Sequence, residues 1–272
     1  MGHDKLRKFA ENETFRCLLQ PSSADILIKD AGPGLHLKDH PVKGRWNEEM
    51  FSRPRPIVLE LGCGKGDYTI ALARKYPDMN FIGVDIKGAR LWKGAKTAET
   101  EGLGNVAFLR TRIEFIEAFF APGEVSGIWL TFSDPQLTGE NKRLSSPLFL
   151  ERYRKFLTPD AVIRLKTDSR FLYEYTMAVA RANGLTVLMY GTDIYNEDLT
   201  YADGVCPLRQ DSEVFTVQTF YEKYFLSLSL PISFMAFRPR KDGPYVRPDF
   251  DAAYWREKEG GRRTFNHMID NE

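Results

Sequence analysis

From Ile57 onward the apolar residues fall in short, almost unbroken runs divided by segments of helical spacing. The runs IVLEL (57–61), NFIGVDI (80–86), NVAFL (105–109), GIWLTF (127–132), DAVIRLKT (160–167) and LTVLMY (185–190) predict strands. Between them DYTIALARKY (67–76), KGARLWKGAKTAETEG (87–102), IEFIEAFF (113–120), SPLFLERYRKFL (146–157) and SRFLYEYTMAVARANG (169–184) carry the period of a helix. Strands that are apolar on both faces and joined by helices predict a mostly parallel, Rossmann-like α/β sheet with helices on both faces. EVFTVQTFYEKYFLSL (213–228) predicts one further helix and PISFMAFRP (231–239) a seventh strand. Only a short connection precedes that strand, which predicts an antiparallel pairing.

The flanks read differently. Residues 1–50 mix charge, Pro and Gly (PSSAD, AGPG, DHPVKGRWN) and predict an irregular N-terminal extension, docked in part through Phe9, Phe15 and Trp46. A domain follows over 51–240. The stretch 241–272, rich in charge, Gly and Pro, predicts a loose charged tail.

At 272 residues with 43% hydrophobic content, the chain suits one large domain with extensions or two small ones. A net charge of +1 leaves no global field to recruit nucleic acid, so a polyanion site must be a local patch. The cysteines, Cys17, Cys63 and Cys206, are odd in number and far apart, which predicts thiols and neither a disulfide framework nor a zinc site. The histidines, His3, His36, His40 and His267, fall in the extensions, and no metal is predicted. No apolar run reaches signal or membrane-spanning length, which predicts a cytoplasmic protein with no membrane partner.

The chemistry concentrates where the first run ends, in LELGCGKGDYT (59–69). Gly62, Gly64 and Gly66 alternate after the acid Glu60, one residue away from the G-x-G-x-x-G spacing of a dinucleotide loop. About 20 residues on, the second strand ends in Asp85, placed to accept hydrogen bonds from the hydroxyls of a ribose. Two carboxylates suit a cationic adenosine ligand such as S-adenosylmethionine. A pyrophosphate would be repelled by Glu60, which argues against NAD. The bland alternative is a tight turn.

A second cluster follows the fourth strand, in TFSDPQLTGENKR (131–143). Asp134 ends that strand and Asp168, in KTDSR (166–170), ends the next, where it either faces the same rim or caps the following helix. Lys142, Arg143, Arg152, Arg154, Lys155, Lys166 and Arg170 form the densest basic region, either a solvated helix face or an RNA-binding patch. Arg7, Lys8 and Phe9 either close over bound RNA or pack on the surface.

KGRWN (43–47), ELGCGKG (60–66), FIGVDI (81–86), FSDP (132–135), FLERYRKFL (149–157), KTD (166–168) and TFYEKYF (219–225) resemble the bacterial tRNA (guanine-N7)-methyltransferase family over roughly residues 43–238. A shorter echo lies in KLRKFAENETF. The glycine loop alone indicates a class I S-adenosylmethionine-dependent methyltransferase; FSDP, KTD and TxYE in that order are more specific. The resemblance implies a class I methyltransferase sheet of seven strands, mostly parallel with the seventh antiparallel. It implies methyl transfer from S-adenosyl-L-methionine to N7 of a guanine in the tRNA variable loop, usually at tRNA position 46. Glu60, Gly62, Gly64 and Asp85 would then bind the cofactor, and Asp134 would touch cofactor and guanine as the catalytic residue. Asp168, Thr219 and Glu222 would grip the guanine.

Several positions depart from the family pattern. Arg112 stands where the family places an acid against the adenine of the cofactor. Gln136 replaces a tryptophan, and Thr138 a substrate-facing lysine. Lys142 and Arg143 are what remains of an RNA-binding basic run. Three rivals stay open: a class I methyltransferase acting on another RNA site or a small molecule, a non-catalytic RNA-binding relative, and, least favoured by the glycine spacing, an oxidoreductase. Monomer and homodimer are equally compatible with the sequence.

Overall fold

The apolar runs line up side by side because each must hide both of its faces. The computed structural model describes residues 2–28, 32–197, 199–202 and 212–259; Cys206 and His267 lie outside the described residues. Among these, strands β1 (Leu18–Leu19), β2 (Ile57–Leu61), β3 (Asn80–Asp85), β4 (Val106–Arg110), β5 (Val125–Thr131), β6 (Leu157–Thr167), β7 (Thr186–Gly191), β8 (Thr200–Tyr201) and β9 (Ser233–Arg238) form one sheet. Its order is β1-β4-β3-β2-β5-β6-β9-β7-β8. The strands from β1 to β6 pair in parallel. β9 lies antiparallel between β6 and β7. The two strands beyond the predicted seven, β1 and β8, are two-residue additions at the edges.

The helices are α1 (Gly2–Asn12), α2 (Trp46–Glu49), α3 (Asp67–Lys75), α4 (Gly88–Glu101), α5 (Pro147–Tyr153), α6 (Arg170–Ala182), α7 (Glu213–Thr216), α8 (Phe220–Ser227) and α9 (Ala252–Glu259). Alternate strand residues serve two separate apolar layers. Leu59, Val84, Leu109 and Leu165 pack with Phe149 of α5 and Leu172 of α6. Val58, Phe81, Phe108 and Trp129 pack with Leu72 of α3, Leu91 of α4 and Phe225 of α8.

Several elements differ from expectation. The helix predicted over 213–228 is two helices, because the Thr219 hydroxyl accepts the Glu222 N–H (3.1 Å) and starts a new one. The 113–120 segment is a 3-10 helix over Ile113–Ala118. The N-terminal extension contains α1, which docks on α4 through Asn12, whose amide donates to the Gly88 carbonyl (2.9 Å). Phe9 lies under the Arg110 guanidinium at 5.0 Å, and Trp46 is fully buried, stacked on Phe120. Arg7 pairs with Asp4 and Glu11, and Lys8 with Asp4, so both pack on the surface. The tail is not loose up to Glu259. Phe250 sets its edge against Phe171 and Tyr175, and the buried Glu259 accepts the Phe171 N–H at the start of α6. No helix among the described residues is long and apolar enough to cross a membrane.

Three glycines make room for one ring. A Cβ on Gly66, Gly83 or Gly94 would stand 2.6–2.8 Å from the Phe108 side chain. Through this contact α4 and the loop before α3 press against the sheet. Ala in place of an interior helical Gly ordinarily gains about 0.5–1 kcal/mol. In Gly94→Ala that gain is outweighed by overpacking of about 1–3 kcal/mol. Urea denaturation is expected to show the variant less stable than wild type; a more stable Gly94→Ala would refute the contact.

Candidate active site

β2 pairs with β3 on one side and β5 on the other, so the strand order reverses at β2 and a crevice opens beyond its carboxyl end. Loop 61–66 lines that crevice. Gly62 and Gly64 have φ of +81° and +57°, and a Cβ on either would meet nothing within 4 Å, so the loop leaves open space on that side. Asp85 braces the loop: one oxygen accepts the Gly64 N–H (3.0 Å) and the other the Lys87 N–H (2.7 Å).

Glu60 does not extend into the crevice as a free carboxylate. It is 3% exposed, and its two oxygens accept the hydroxyls of Thr69 on α3 and Thr131 on β5. Burial pushes its carboxyl up to about 7. Cys63, beside it, is a buried thiol raised well above its usual range by the same loss of water.

Beyond β5 the backbone is strained on both sides of Asp134. Phe132 and Gln136 hold φ of +49° and +47°, a region that disfavours side chains with a Cβ. Each such residue costs of order 1–3 kcal/mol and persists only when its surroundings impose it. Here they do. The Asp134 carboxylate accepts the Gln136 N–H (2.8 Å), and the Phe132 N–H donates to the Lys166 carbonyl (2.9 Å). Arg143 donates to the carbonyls of Pro135, Gln136 and Leu137 at 3.1–3.2 Å. Asp134 itself is exposed, as is Thr138.

The expectation of Arg143 as an RNA-facing cation is corrected by that geometry. Its guanidinium is sandwiched between Phe171 (4.6 Å) and Tyr175 (4.4 Å), and the residue is 4% exposed. The rest of the predicted basic region is similarly internal or compensated. Arg152 and Lys155 pair with Glu117, Arg154 with Glu151, and Arg170 with Glu174. Lys142 remains exposed on its 3-10 turn, and Arg112 is exposed beside Glu114.

Lys166 is buried completely, paired with Glu222 (2.6 Å), both side chains 0% exposed. The sequence groups it with the basic region read as a solvated face or an RNA-binding patch; its place in a strand between Leu165 and Thr167 is the signal for burial. Its ammonium also donates to the Val217 carbonyl (3.1 Å). The Tyr195 hydroxyl donates to the same Glu222 oxygen (2.7 Å), and Gln218 donates to Tyr195 (3.1 Å). The second Glu222 oxygen is buried with no hydrogen-bond partner among the described residues, a state that costs about 1–3 kcal/mol until a donor arrives. Burial pushes the Glu222 carboxyl up and the Lys166 ammonium down, while each draws the other back toward its charged form. Thr69, Thr131 and Tyr195 were not singled out by the sequence, since hydroxyls of these types occur throughout the chain.

Asp168 follows β6, half-buried, and the cap of α6 is Ser169, whose hydroxyl accepts the Leu172 N–H. α8 joins the ensemble through Phe225, whose ring lies 6.1 Å from that of Phe132. The glycine loop, the β5 loop, the end of β6 and the start of α8 therefore border one region. Among the described residues no group of three His, Cys, Asp or Glu is placed to hold a metal.

This fold, with its glycine loop at the switch point, is that of a class I methyltransferase. A family model described as "Putative methyltransferase" matches residues 54–202. The crystal structure of the 16S rRNA methyltransferase KamB superimposes with a TM-score of 0.52, covering 80% of this chain and 98% of that one at 14% identity, a likeness of fold alone. The chain belongs, more narrowly, to the tRNA (guanine-N(7)-)-methyltransferase family. It is 44% identical to the Bacteroides thetaiotaomicron member, over 97% of this chain and 99% of the relative. It is 46% identical to that of Christiangramia forsetii, over 86% and 97%.

The buried Glu60 yields a pH prediction. Because its folded-state pKa lies above the ordinary 4.5, its contribution to stability is complete below about 4.5 and is lost as pH rises through about 7. Between those values wild type should lose stability relative to Glu60→Gln by up to about 1.4 kcal/mol per pH unit. Urea unfolding at several pH values checks this; a difference that stays constant across the window would place the Glu60 carboxyl in its ordinary range.

Proposed function

We propose that this protein is a cytoplasmic enzyme that methylates N7 of a guanine in the tRNA variable loop, with S-adenosylmethionine as donor. The observation that supports the reading is that the ends of β5 and β6 and the helix α8, which carry Asp134, Asp168 and Glu222, are tied together through Lys166 near a glycine loop whose Gly62 and Gly64 Cβ positions are open. The cofactor supplies an electrophilic methyl group. The open side of Gly62 and Gly64 suits its close approach, and Asp85 suits its ribose hydroxyls. Glu60, held by two threonines, shapes the crevice floor.

Guanine N7 has a free lone pair, so no residue needs to remove a proton first. The task left to the chain is orientation, together with negative charge where the purine becomes cationic. Asp134 performs the second. Its carboxylate is fixed by the Gln136 N–H on a loop that Arg143 pins from within. Asp168 and Glu222 accept hydrogen bonds from the N1–H and N2–H₂ edge of guanine, a donor pair that adenine lacks. Thr219 starts the helix that carries Glu222. The base is extruded from the folded tRNA to reach them. Thr138, Lys142 and Arg112 lie exposed around this region and face the RNA or the cofactor's adenine side.

Labelled methyl transfer to unmodified tRNA, followed by nucleoside analysis, is expected to yield 7-methylguanosine, lost when the variable-loop guanine is replaced. Cofactor binding without labelled tRNA would move the acceptor to another molecule. Asp134→Ala should lower turnover by about 10²–10³-fold with the fold intact; wild-type turnover would remove Asp134 from the mechanism. Asp85→Ala should weaken calorimetric affinity for S-adenosylmethionine about tenfold or more, as expected for loss of a charged hydrogen-bond acceptor. Unchanged affinity would reject the ribose assignment.

A further inference from the structure

A buried ion pair is an expensive way to join two elements, since apolar side chains of the same size would pack as well. The Lys166–Glu222 pair is also lopsided. Lys166 and Tyr195 both address one carboxylate oxygen, Oε1, while Oε2 is left with no partner among the described residues. The ammonium's second hydrogen-bond partner is the Val217 carbonyl, in the break between α7 and α8 that sets Thr219 in place. The backbone of the same lysine accepts the N–H of Phe132, at the strained entrance to the Asp134 loop. One residue thus touches both halves of the site.

We propose that Lys166, seconded by Tyr195, is a positioning residue for guanine recognition: the two hold Glu222 by Oε1 as a carboxylate and leave Oε2 as the acceptor for the N–H edge of the base. The proposal rests on the guanine reading above. The chemistry of the ligand selects the ionised form. Guanine presents donors along N1 and N2, so a protonated Glu222 would set its own O–H against them, whereas a carboxylate receives them.

Lys166 supplies the charge that keeps the proton away from a carboxyl that burial would otherwise load. Among the described residues, the other titratable groups facing the pair are Tyr195, Tyr68 of α3, whose ring lies 5.6 Å from the ammonium, and Glu213 of α7. Glu60 and Arg164 act on Tyr68 from farther off. Among these only Lys166 is a cation in direct contact with Glu222.

The test compares wild type, Lys166→Met and Tyr195→Phe in methyl transfer to unmodified tRNA between about pH 6 and 9, alongside cofactor affinity and thermal unfolding. In Lys166→Met the acid limb of kcat/KM for tRNA should move up by about one pH unit. Activity should then be down about tenfold near neutral pH and recover at the alkaline end, with cofactor affinity unchanged. Tyr195→Phe should shift the limb in the same direction by less. A structural role alone would lower activity equally at every pH, and an unmoved limb in the variants overturns the proposal. Should Lys166→Met fail to fold, Tyr195→Phe, which deletes one hydroxyl from a half-buried side chain, decides by the same criterion. Wild type that labels no tRNA guanine would defeat the functional reading and this proposal with it, which separates that failure from an unmoved limb in an active enzyme.

Discussion

The reversal of strand order at β2 is the constraint on which the rest depends. A strand flanked by β3 on one side and β5 on the other opens a crevice at its carboxyl end, and Glu60, the glycine loop and Asp85 border that opening. Glu60 ties the three elements that meet there. Its carboxylate takes one hydroxyl from α3 and one from β5. The glycine loop that follows is held in turn by Asp85 from the tip of β3. Cradle and floor are thus parts of one polar framework laid over the apolar sheet.

A second theme is that charges which look like surface features hold the interior of the site. Arg143 stacks between two aromatic rings and fastens three consecutive carbonyls, which allows Phe132 and Gln136 to keep a backbone conformation that neither side chain favours. Lys166 sits without solvent contact beneath α8. The C-terminal segment supports the same region, because Phe250 packs on the rings that clasp Arg143 and Glu259 caps the helix following Asp168. Rigidity at Asp134 therefore depends on residues more than a hundred positions downstream. That coupling gives the departures at Gln136 and Thr138 a structural setting: the loop is shaped from within, by Arg143, rather than by what stands at its tip.

The parallel sheet, its helices on both faces and the antiparallel β9 were legible in the sequence, because continuous apolar runs and helical periods are local patterns with one economical packing. So were the glycine loop and Asp85, whose spacing is itself the signal. α1 and α9 are not legible in the sequence because charged residues make up about half of each, and what secures them is docking on α4 and on α6. The break at Thr219 was hidden inside an apparently continuous helical period, and only the side-chain cap decided it.

What the sequence by itself determined was the layer architecture and the neighbourhood of the site, since both follow from periodicity and from the needs of a ligand-binding loop. Whether a charged residue faces water or a partner is another matter, because it depends on which elements cross above it. Lys142 and Arg143 are adjacent in the chain, yet one is exposed and the other sealed beneath two aromatic rings. Lys166 and Glu222 lie 56 positions apart in sequence and touch at 2.6 Å only because α8 folds back over the end of β6. Tertiary structure alone made that contact, and with it the division of Glu222 into one oxygen engaged and one buried with no hydrogen-bond partner among the described residues.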